Sequence, residues 1–326
     1  MNIAVIGTGA WGTALTRLLL GGEHRLTLWD WDQENLREVA RTRRNEKYLP
    51  GFALEGEFAI AETVEAAAAG ADLVLLAVRS SVFREISGRL GDFGGVVVSV
   101  TKGIEFETGL TMSGILAETA PKARAVALSG PTLAAEVARG IPTAAVAGSE
   151  DEAAARLVQR LFHRPTFRVY TSPDILGVEL GGALKNVIAI AAGACDGLGF
   201  GDNAKAALIT RGLAEMRRLG VACGARAETF SGLSGLGDLI VTCSSRLSRN
   251  HTLGERLGRG EKLEAILAGA VTVAEGHPTA RSAWRLARKL GVETPIIDEV
   301  HAMLYEGKDL KQALFDLLNR ESKPED

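Results

Sequence analysis

The chain is poor in several residue types, and each shortage closes a class of function. Its 326 residues include three cysteines, Cys195, Cys223 and Cys243. They have no CxxC or metal-ligand spacing, and an odd count does not build a disulfide framework, so reduced intracellular thiols are expected. The five histidines, His24, His163, His251, His277 and His301, are scattered without HExxH or paired spacing, which gives a metal site no support. Positive charge is not in excess. A formal net charge of -3 argues against a nucleic-acid partner, while a phosphate-bearing small molecule needs only a few local cations. A strand-like run starts at Asn2, so no signal peptide is expected. The longest candidate for a membrane span, 175–195, contains Glu179, Lys185 and Asn186. Its uninterrupted apolar part reads as too short to cross a bilayer, which predicts a buried helix in a cytoplasmic protein.

Lysine is scarce as well: 10 of the 37 basic residues. Lys185 nevertheless stands alone in the apolar run from Leu180 to Gly193. Burying an ammonium is costly, and desolvation moves a lysine pKa toward the range where it exchanges protons near neutrality. The alternative is a packed alkyl stem with its head reaching water.

What is present has a clear order. β-rich runs at 2–6, 25–29, 58–60, 73–77, 96–100, 125–128, 143–147 and 167–170 alternate with segments of helical spacing. That alternation predicts an α/β fold: an N-terminal Rossmann-like, doubly wound, mostly parallel sheet over residues 1–172. After the turn signal Thr171-Ser172-Pro173-Asp174, helical patterns at 174–194, 203–220, 252–258, 262–269, 278–290, 295–305 and 308–319 predict a C-terminal all-α domain, 173–326.

Gly7-Thr-Gly-Ala-Trp-Gly12 is a G-x-G-x-x-G directly between a strand and a helix. In that context the first glycine permits a tight turn and the second lets backbone approach a pyrophosphate. The third lets helix pack on strand. Asp30, at the end of the second strand, is placed to accept from the 2′-hydroxyl of an adenosine ribose and to repel a 2′-phosphate. Trp31 then offers a flat apolar surface. Together they predict NAD(H) in preference to NADP(H). Asp30 could instead cap a helix, and Arg37, Arg41, Arg43 and Arg44 lie close enough to rescue NADP(H) binding.

Five motifs read together resemble the bacterial NAD(P)-dependent glycerol-3-phosphate dehydrogenases, over nearly the whole chain. They are the glycine turn continuing to Ala14, Asn45-Glu-Lys-Tyr-Leu-Pro50, Thr101-Lys-Gly-Ile-Glu105, Leu128-Ser-Gly-Pro-Thr-Leu-Ala-Ala-Glu136, and the block from Glu179 to Met216. The resemblance implies reduction of dihydroxyacetone phosphate to sn-glycerol 3-phosphate with NAD(P)H, which supplies phospholipid backbones, and it implies a homodimer. It implies that Lys185 exchanges the proton at the substrate oxygen and that Lys102 contacts substrate and cofactor. Gly130, Thr132, Asp238, Ser248, Arg249 and Asn250 are implied as substrate residues. Gly7, Gly9, Ala10, Trp11, Gly12, Ala134, Arg249, Val273 and Glu275 are expected at the cofactor. Two departures stand out. Asp30-Trp31 replaces a small residue followed by a basic one, and Ala77-Val-Arg-Ser80 has Arg79 where the family's turn has proline.

The chemistry is coherent with those roles. Ketone reduction needs a hydride, a proton for the developing alkoxide and electrostatic support of that oxygen. Lysine is the natural donor where no histidine base or metal offers itself. Lys102 just beyond a strand end would polarise the substrate and lower the pKa of Lys185, or would be a solvated loop lysine. Gly181 and Gly182, one turn before Lys185, would give clearance for a ligand. Asp238 could orient Lys185 or cap a helix. Arg249 and Asn250 suit a phosphate monoester, although Arg246, Arg256 and Arg259 could make the region a solvated basic face. The rival readings are a β-hydroxyacid or 6-phosphogluconate dehydrogenase, and a dinucleotide-sensing regulator without catalysis.

Overall fold

The computed structural model describes residues 1–269 and 273–321. Eight strands form one sheet: β1 (Asn2–Ile6), β2 (Arg25–Trp29), β3 (Phe58–Ile60), β4 (Leu73–Leu76), β5 (Val96–Ser99), β6 (Arg124–Ser129), β7 (Thr143–Gly148) and β8 (Phe167–Ser172). Their order is β3-β2-β1-β4-β5-β6-β7-β8, parallel throughout except between β6 and β7. The predicted strands are all there: β1, β2 and β3 have the predicted bounds, and ends of the other five are displaced by one or two residues.

Helices α1 (Ala10–Leu20), α2 (Gln33–Thr42), α3 (Val64–Ala68), α4 (Phe83–Gly88), α5 (Met112–Thr119), α6 (Ala134–Ala138) and α7 (Glu152–Phe162) connect the strands. From there the chain is helical: α8 (Ile175–Gly197), α9 (Asp202–Ala222), α10 (Asp238–Ser244), α11 (Arg249–Gly258), α12 (Leu263–Ala268), α13 (Gly276–Leu290), α14 (Pro295–Tyr305) and α15 (Leu310–Leu318). Two compact units result. One is Met1–Lys102 with Leu110–Glu179; the other is Gly103–Gly109 with Leu180 onward.

In the sheet unit, the central strands β4 and β5 are buried along their whole length, which is why they read as Leu73-Val-Leu-Leu76 and Val96-Val-Val-Ser99 without polar alternation. Their two faces feed two cores. Ile3, Val5, Leu73, Leu75, Val96 and Val98 face Leu15, Leu19, Val158 and Phe162 of α1 and α7. Ala4, Ile6, Val74, Leu76 and Val97 face Val64, Phe83, Ile86, Met112 and Ile115 on the other side. Each large side chain buried here contributes roughly 1.5–3 kcal/mol.

In the helical unit, α8 and α11 cross at backbone contact. A Cβ on Gly193 would lie 2.0 Å from the His251 carbonyl oxygen, and one on Gly254 would lie 1.9 Å from that of Ile190. Gly197 and Gly258 face each other one turn further on. The crossing is fastened by Asp196 on α8, which accepts from Lys205 Nζ (2.9 Å) and pairs with His251 Nε2 (2.8 Å). Phe106, in the short strap 103–109, lies beneath the guanidinium groups of Arg281 (3.7 Å to the ring centroid) and Arg285 (4.7 Å) on α13.

As a whole, α8 is long and apolar enough, by length and composition, to cross a bilayer. Glu179, Lys185 and Asn186 interrupt its apolar run, and 94% of its most apolar window is buried inside the protein, as in the buried helix that the sequence predicts. The helical segments read from the sequence leave 227–244 unassigned. A 3-10 turn (Ala227–Ser231) and a π turn (Leu233–Gly237) instead run directly into α10. Glycines at 232, 235 and 237 mask the helical pattern there.

Glu215 on α9 accepts from the amides of Ile296 (2.8 Å) and Ile297 (3.3 Å), capping α14 from another helix. Burial nevertheless outweighs those bonds and pushes its carboxyl up to about 7. Buried Glu179, which accepts from Ser113 N (2.8 Å), is raised for the same reason.

Two outcomes follow. Gly254→Ala is expected to lower unfolding free energy by about 1–3 kcal/mol or more, whereas Gly88→Ala, where an added Cβ meets nothing within 4 Å, should cost nothing measurable in urea titrations. For Glu215, the folded state holds its proton more tightly than the unfolded chain. Stability should therefore be greatest below the ordinary glutamate pKa and fall, by on the order of 3 kcal/mol, as pH rises to about 7. Glu215→Gln should flatten that part of a Tm-against-pH profile, and an unchanged slope would remove Glu215 as its source.

Candidate cofactor turn and buried lysine site

The glycine turn sits where the strand order reverses, between the C-terminal ends of β1 and β4, the place where open α/β sheets bind ligands. Gly7 has φ +100°, and a Cβ there would lie 2.6 Å from the Ala77 carbonyl oxygen. A Cβ on Gly12 would lie 2.0 Å from the Gly7 carbonyl oxygen. Those two glycines are fixed by the protein itself. Gly9 is different: a Cβ there would meet nothing within 4 Å. It stands at the N-cap of α1 with no side-chain cap, so amides of the first turn, beginning at Ala10, stay open to an anion. The residues present therefore fit a dinucleotide pyrophosphate.

Asp30 is buried at the end of β2 and does not cap α2; Asp32 does, accepting from Asn35 N (3.1 Å). Instead the Asp30 carboxylate accepts from the amide and hydroxyl of Thr8 (2.9 Å for the hydroxyl) and from Asp32 N (3.0 Å). Trp31 is 71% exposed. The arginines that could have served a 2′-phosphate are all paired, Arg37 with Glu62, Arg41 with Glu38, Arg43 with Glu57 and Arg44 with Glu46. Trp11 and Ala134 pack into one small cluster with Ala14, Leu49 and Ala138. Arg79 already has φ -67°, the value a proline would impose, so the turn keeps its shape without the ring.

Lys102 follows β5 and donates to the Gly130 carbonyl (3.4 Å), which also accepts from Thr132 Oγ1 (3.1 Å). Gly130 has φ +149°, and a Cβ would lie 2.9 Å from the Ala144 oxygen, so only glycine fits. Sequence reasoning grouped these three residues, and the structure brings them together.

In the helical unit, Lys185 is 6% exposed and does not send its head to bulk water. Its Nζ donates to Asp238 Oδ1 and to Thr242 Oγ1 (2.6 Å). Thr242 in turn donates to the Asp238 carbonyl (2.6 Å). Asp238 is not a helix cap: it lies where the π turn passes into α10, with no capping bond at that end. Gly181 gives clearance, but to backbone: a Cβ there would lie 2.7 Å from the Ser234 carbonyl oxygen of the same π turn. Thr242 was missed in the sequence. Its signal was the i,i+4 spacing from Asp238, which places both on one face of α10.

Asn186 and Asn250 form a second polar pair. Asn250 Nδ2 donates to Asn186 Oδ1 (2.8 Å), and Asn250 Oδ1 accepts from Gly276 N (2.8 Å). Ser248 caps α11, accepting from His251 N (3.2 Å). Arg249 starts that helix and, among the described residues, has no hydrogen-bond or ion-pair partner in range. Crowding by protein atoms draws its pKa down while nearby Glu275 draws it up. Its side chain keeps solvent access all the same, which decides the matter: a guanidinium remains charged. Val273 is 37% exposed and Glu275 precedes α13.

Comparison with known proteins gives this geometry a context. The profile for the N-terminus of NAD-dependent glycerol-3-phosphate dehydrogenase matches residues 2–155, and the profile for its C-terminus matches 174–315. The chain belongs to the NAD-dependent glycerol-3-phosphate dehydrogenase family. A glycerol-3-phosphate dehydrogenase [NAD(P)+] of Syntrophotalea carbinolica is 51% identical over 331 residues, covering 100% of this chain and 99% of the relative. That of Geobacter metallireducens is 50% identical over 330 residues, covering 99% and 98%. The solved glycerol-3-phosphate dehydrogenase of Coxiella burnetii is 35% identical, with a TM-score of 0.94 over 98% of this chain and 99% of that one.

Proposed function

We propose that the protein reduces dihydroxyacetone phosphate to sn-glycerol 3-phosphate, with Lys185 as the proton donor. The observation that carries the reading is the buried set Lys185, Asp238 and Thr242. Bound at the glycine turn, NADH supplies the hydride that reduces the carbonyl carbon. Lys185 then gives one Nζ proton to the C2 oxygen as it becomes a hydroxyl, and regains a proton from solvent. Asp238 and Thr242 accept from the ammonium and fix its position from α10. Balancing the charge with Asp238 also makes a buried ammonium affordable.

Further roles are carried over from the family's motifs. Lys102, Gly130 and Thr132 contact the substrate, Arg249 binds its phosphate, and Asp238, Ser248 and Asn250 complete the substrate residues. Gly7, Gly9, Ala10, Trp11, Gly12, Asp30, Trp31, Lys102, Ala134, Arg249, Val273 and Glu275 serve the cofactor. The division of labour at 172/173, a cytoplasmic homodimer and a supply of phospholipid backbones belong to the same proposal. NADH is preferred to NADPH: the Asp30 carboxylate repels a 2′-phosphate carrying up to two negative charges, and the neighbouring arginines already have acidic partners.

Lys185→Ala should lower kcat about a thousandfold while the Kd for NADH changes less than about twofold. A variant with wild-type turnover would exclude Lys185 as donor. In side-by-side assays with dihydroxyacetone phosphate, kcat/KM should be higher with NADH. Better use of NADPH would overturn the specificity argument.

A further inference from the structure

The motif Asn45-Glu-Lys-Tyr-Leu-Pro50 has had no role so far. Asn45 is completely buried, 33 residues beyond Gly12 in sequence, yet its side chain closes on the glycine turn. Asn45 Nδ2 donates to the Thr8 carbonyl (2.7 Å) and to Thr13 Oγ1 (2.8 Å), while Thr13 Oγ1 itself donates to the same Thr8 carbonyl (3.0 Å). The other side-chain atom is used too: Asn45 Oδ1 accepts from Asn35 Nδ2 and Tyr48 N, both at 3.3 Å. Four residues on, Leu49 packs against Ala14 of α1. The segment is closed at its base by the pairing of Arg44 with Ala53 and by Leu54 N donating to the Arg43 carbonyl (2.8 Å).

We infer that Asn45 is a positioning residue for the cofactor turn, holding the Thr8 carbonyl so that the amides around Gly9 are aimed before the dinucleotide arrives. The inference rests on the reading of that turn as the pyrophosphate site. A turn with glycine on both sides of its central residue has a large conformational entropy to lose. Thr8 is pinned from both sides, its amide and hydroxyl by Asp30 and its carbonyl by Asn45. Both partners of the Asn45 bond are shielded from water, so its removal leaves a buried carbonyl short of a donor. The loss falls on cofactor binding because ordering the turn then has to be done by the ligand. Only an amide serves here. A carboxylate would set oxygen against the Thr8 oxygen, and an alanine would leave both ends empty.

The test is NADH titration of the full-length protein by fluorescence, alongside steady-state assays with dihydroxyacetone phosphate. Asn45→Ala should raise the Kd for NADH about tenfold, with kcat at saturating NADH and the KM for dihydroxyacetone phosphate within about twofold. Thr13→Val, which keeps the volume, should raise Kd about threefold. The double variant should lose less than the product of the two, because both residues hold one carbonyl. A folded Asn45→Ala with wild-type NADH affinity, or with kcat and both KM values impaired alike, overturns the inference. Should Asn45→Ala not fold, an unchanged Kd in Thr13→Val overturns it equally. Failure of the wild-type protein to bind NADH would instead strike the reading of the turn itself.

Discussion

A nearly inaccessible ammonium has to be met by acceptors, and the helical unit is organised around that requirement at Lys185. The partners come from α10, where Asp238 and Thr242 present an oxygen each from one face. The π turn that leads into α10 lies against α8. Glycine at 181 makes this possible by letting the Ser234 carbonyl approach α8 closely. The lysine, the small residue one turn before it and the π turn opposite are thus one arrangement. Removing the Asp238 carboxylate would take the counter-charge from a buried ammonium, a far larger penalty than the loss of a surface contact.

Glycines in this chain divide by what lies opposite their missing Cβ. At 7, 12, 181, 193 and 254 it is protein backbone, and the glycine is a packing requirement. At 9 it is open space, and the protein itself sets no such packing requirement. Sequence cannot make that distinction, since the fingerprint shows Gly7, Gly9 and Gly12 as equals. It also credited Gly181 to ligand clearance, when the neighbour is backbone. In the α8–α11 crossing, four glycines at four-residue spacing on two helices bring the backbones together, and this fixes where Asn186 and Asn250 meet.

How legible the molecule was in its sequence follows from the range of the interactions. The strands were legible because apolar runs such as Val96-Val-Val-Ser99 need no partner to be recognised. The helical segment after 172 was legible from periodicity, except at 227–244, where glycines at 232, 235 and 237 interrupt the pattern. Lys185 was legible as an anomaly, but Thr242 was not, because its importance depends on a helix 57 residues away. Asn45 stood in a recognised motif whose purpose no local pattern discloses. Ser248 and Asn250 show the reverse: both were legible by type, yet their polar atoms are engaged in a helix cap and an interhelical amide pair. Such residues fix where Arg249 begins its helix.

The region after β2 shows why counting charges in a sequence misleads about a cofactor. Four arginines within eight residues look like a phosphate site. In the structure each faces a glutamate, three of those glutamates lying in or beside the same local segment. Such exposed pairs are individually weak, about 0–1 kcal/mol, so pairing alone would not stop an arginine from turning to a phosphate. What it does is remove the excess: the segment offers no net positive field. In the proposed preference for NADH, the buried Asp30 carboxylate would act at the end of β2 without having to touch a ribose, since repulsion of a doubly charged phosphate requires only proximity in a poorly screened environment. The same carboxylate fastens Thr8 and thereby the turn. On that proposal, replacing it to admit NADPH would also loosen the glycine turn, which would couple cofactor choice to turn rigidity through one side chain.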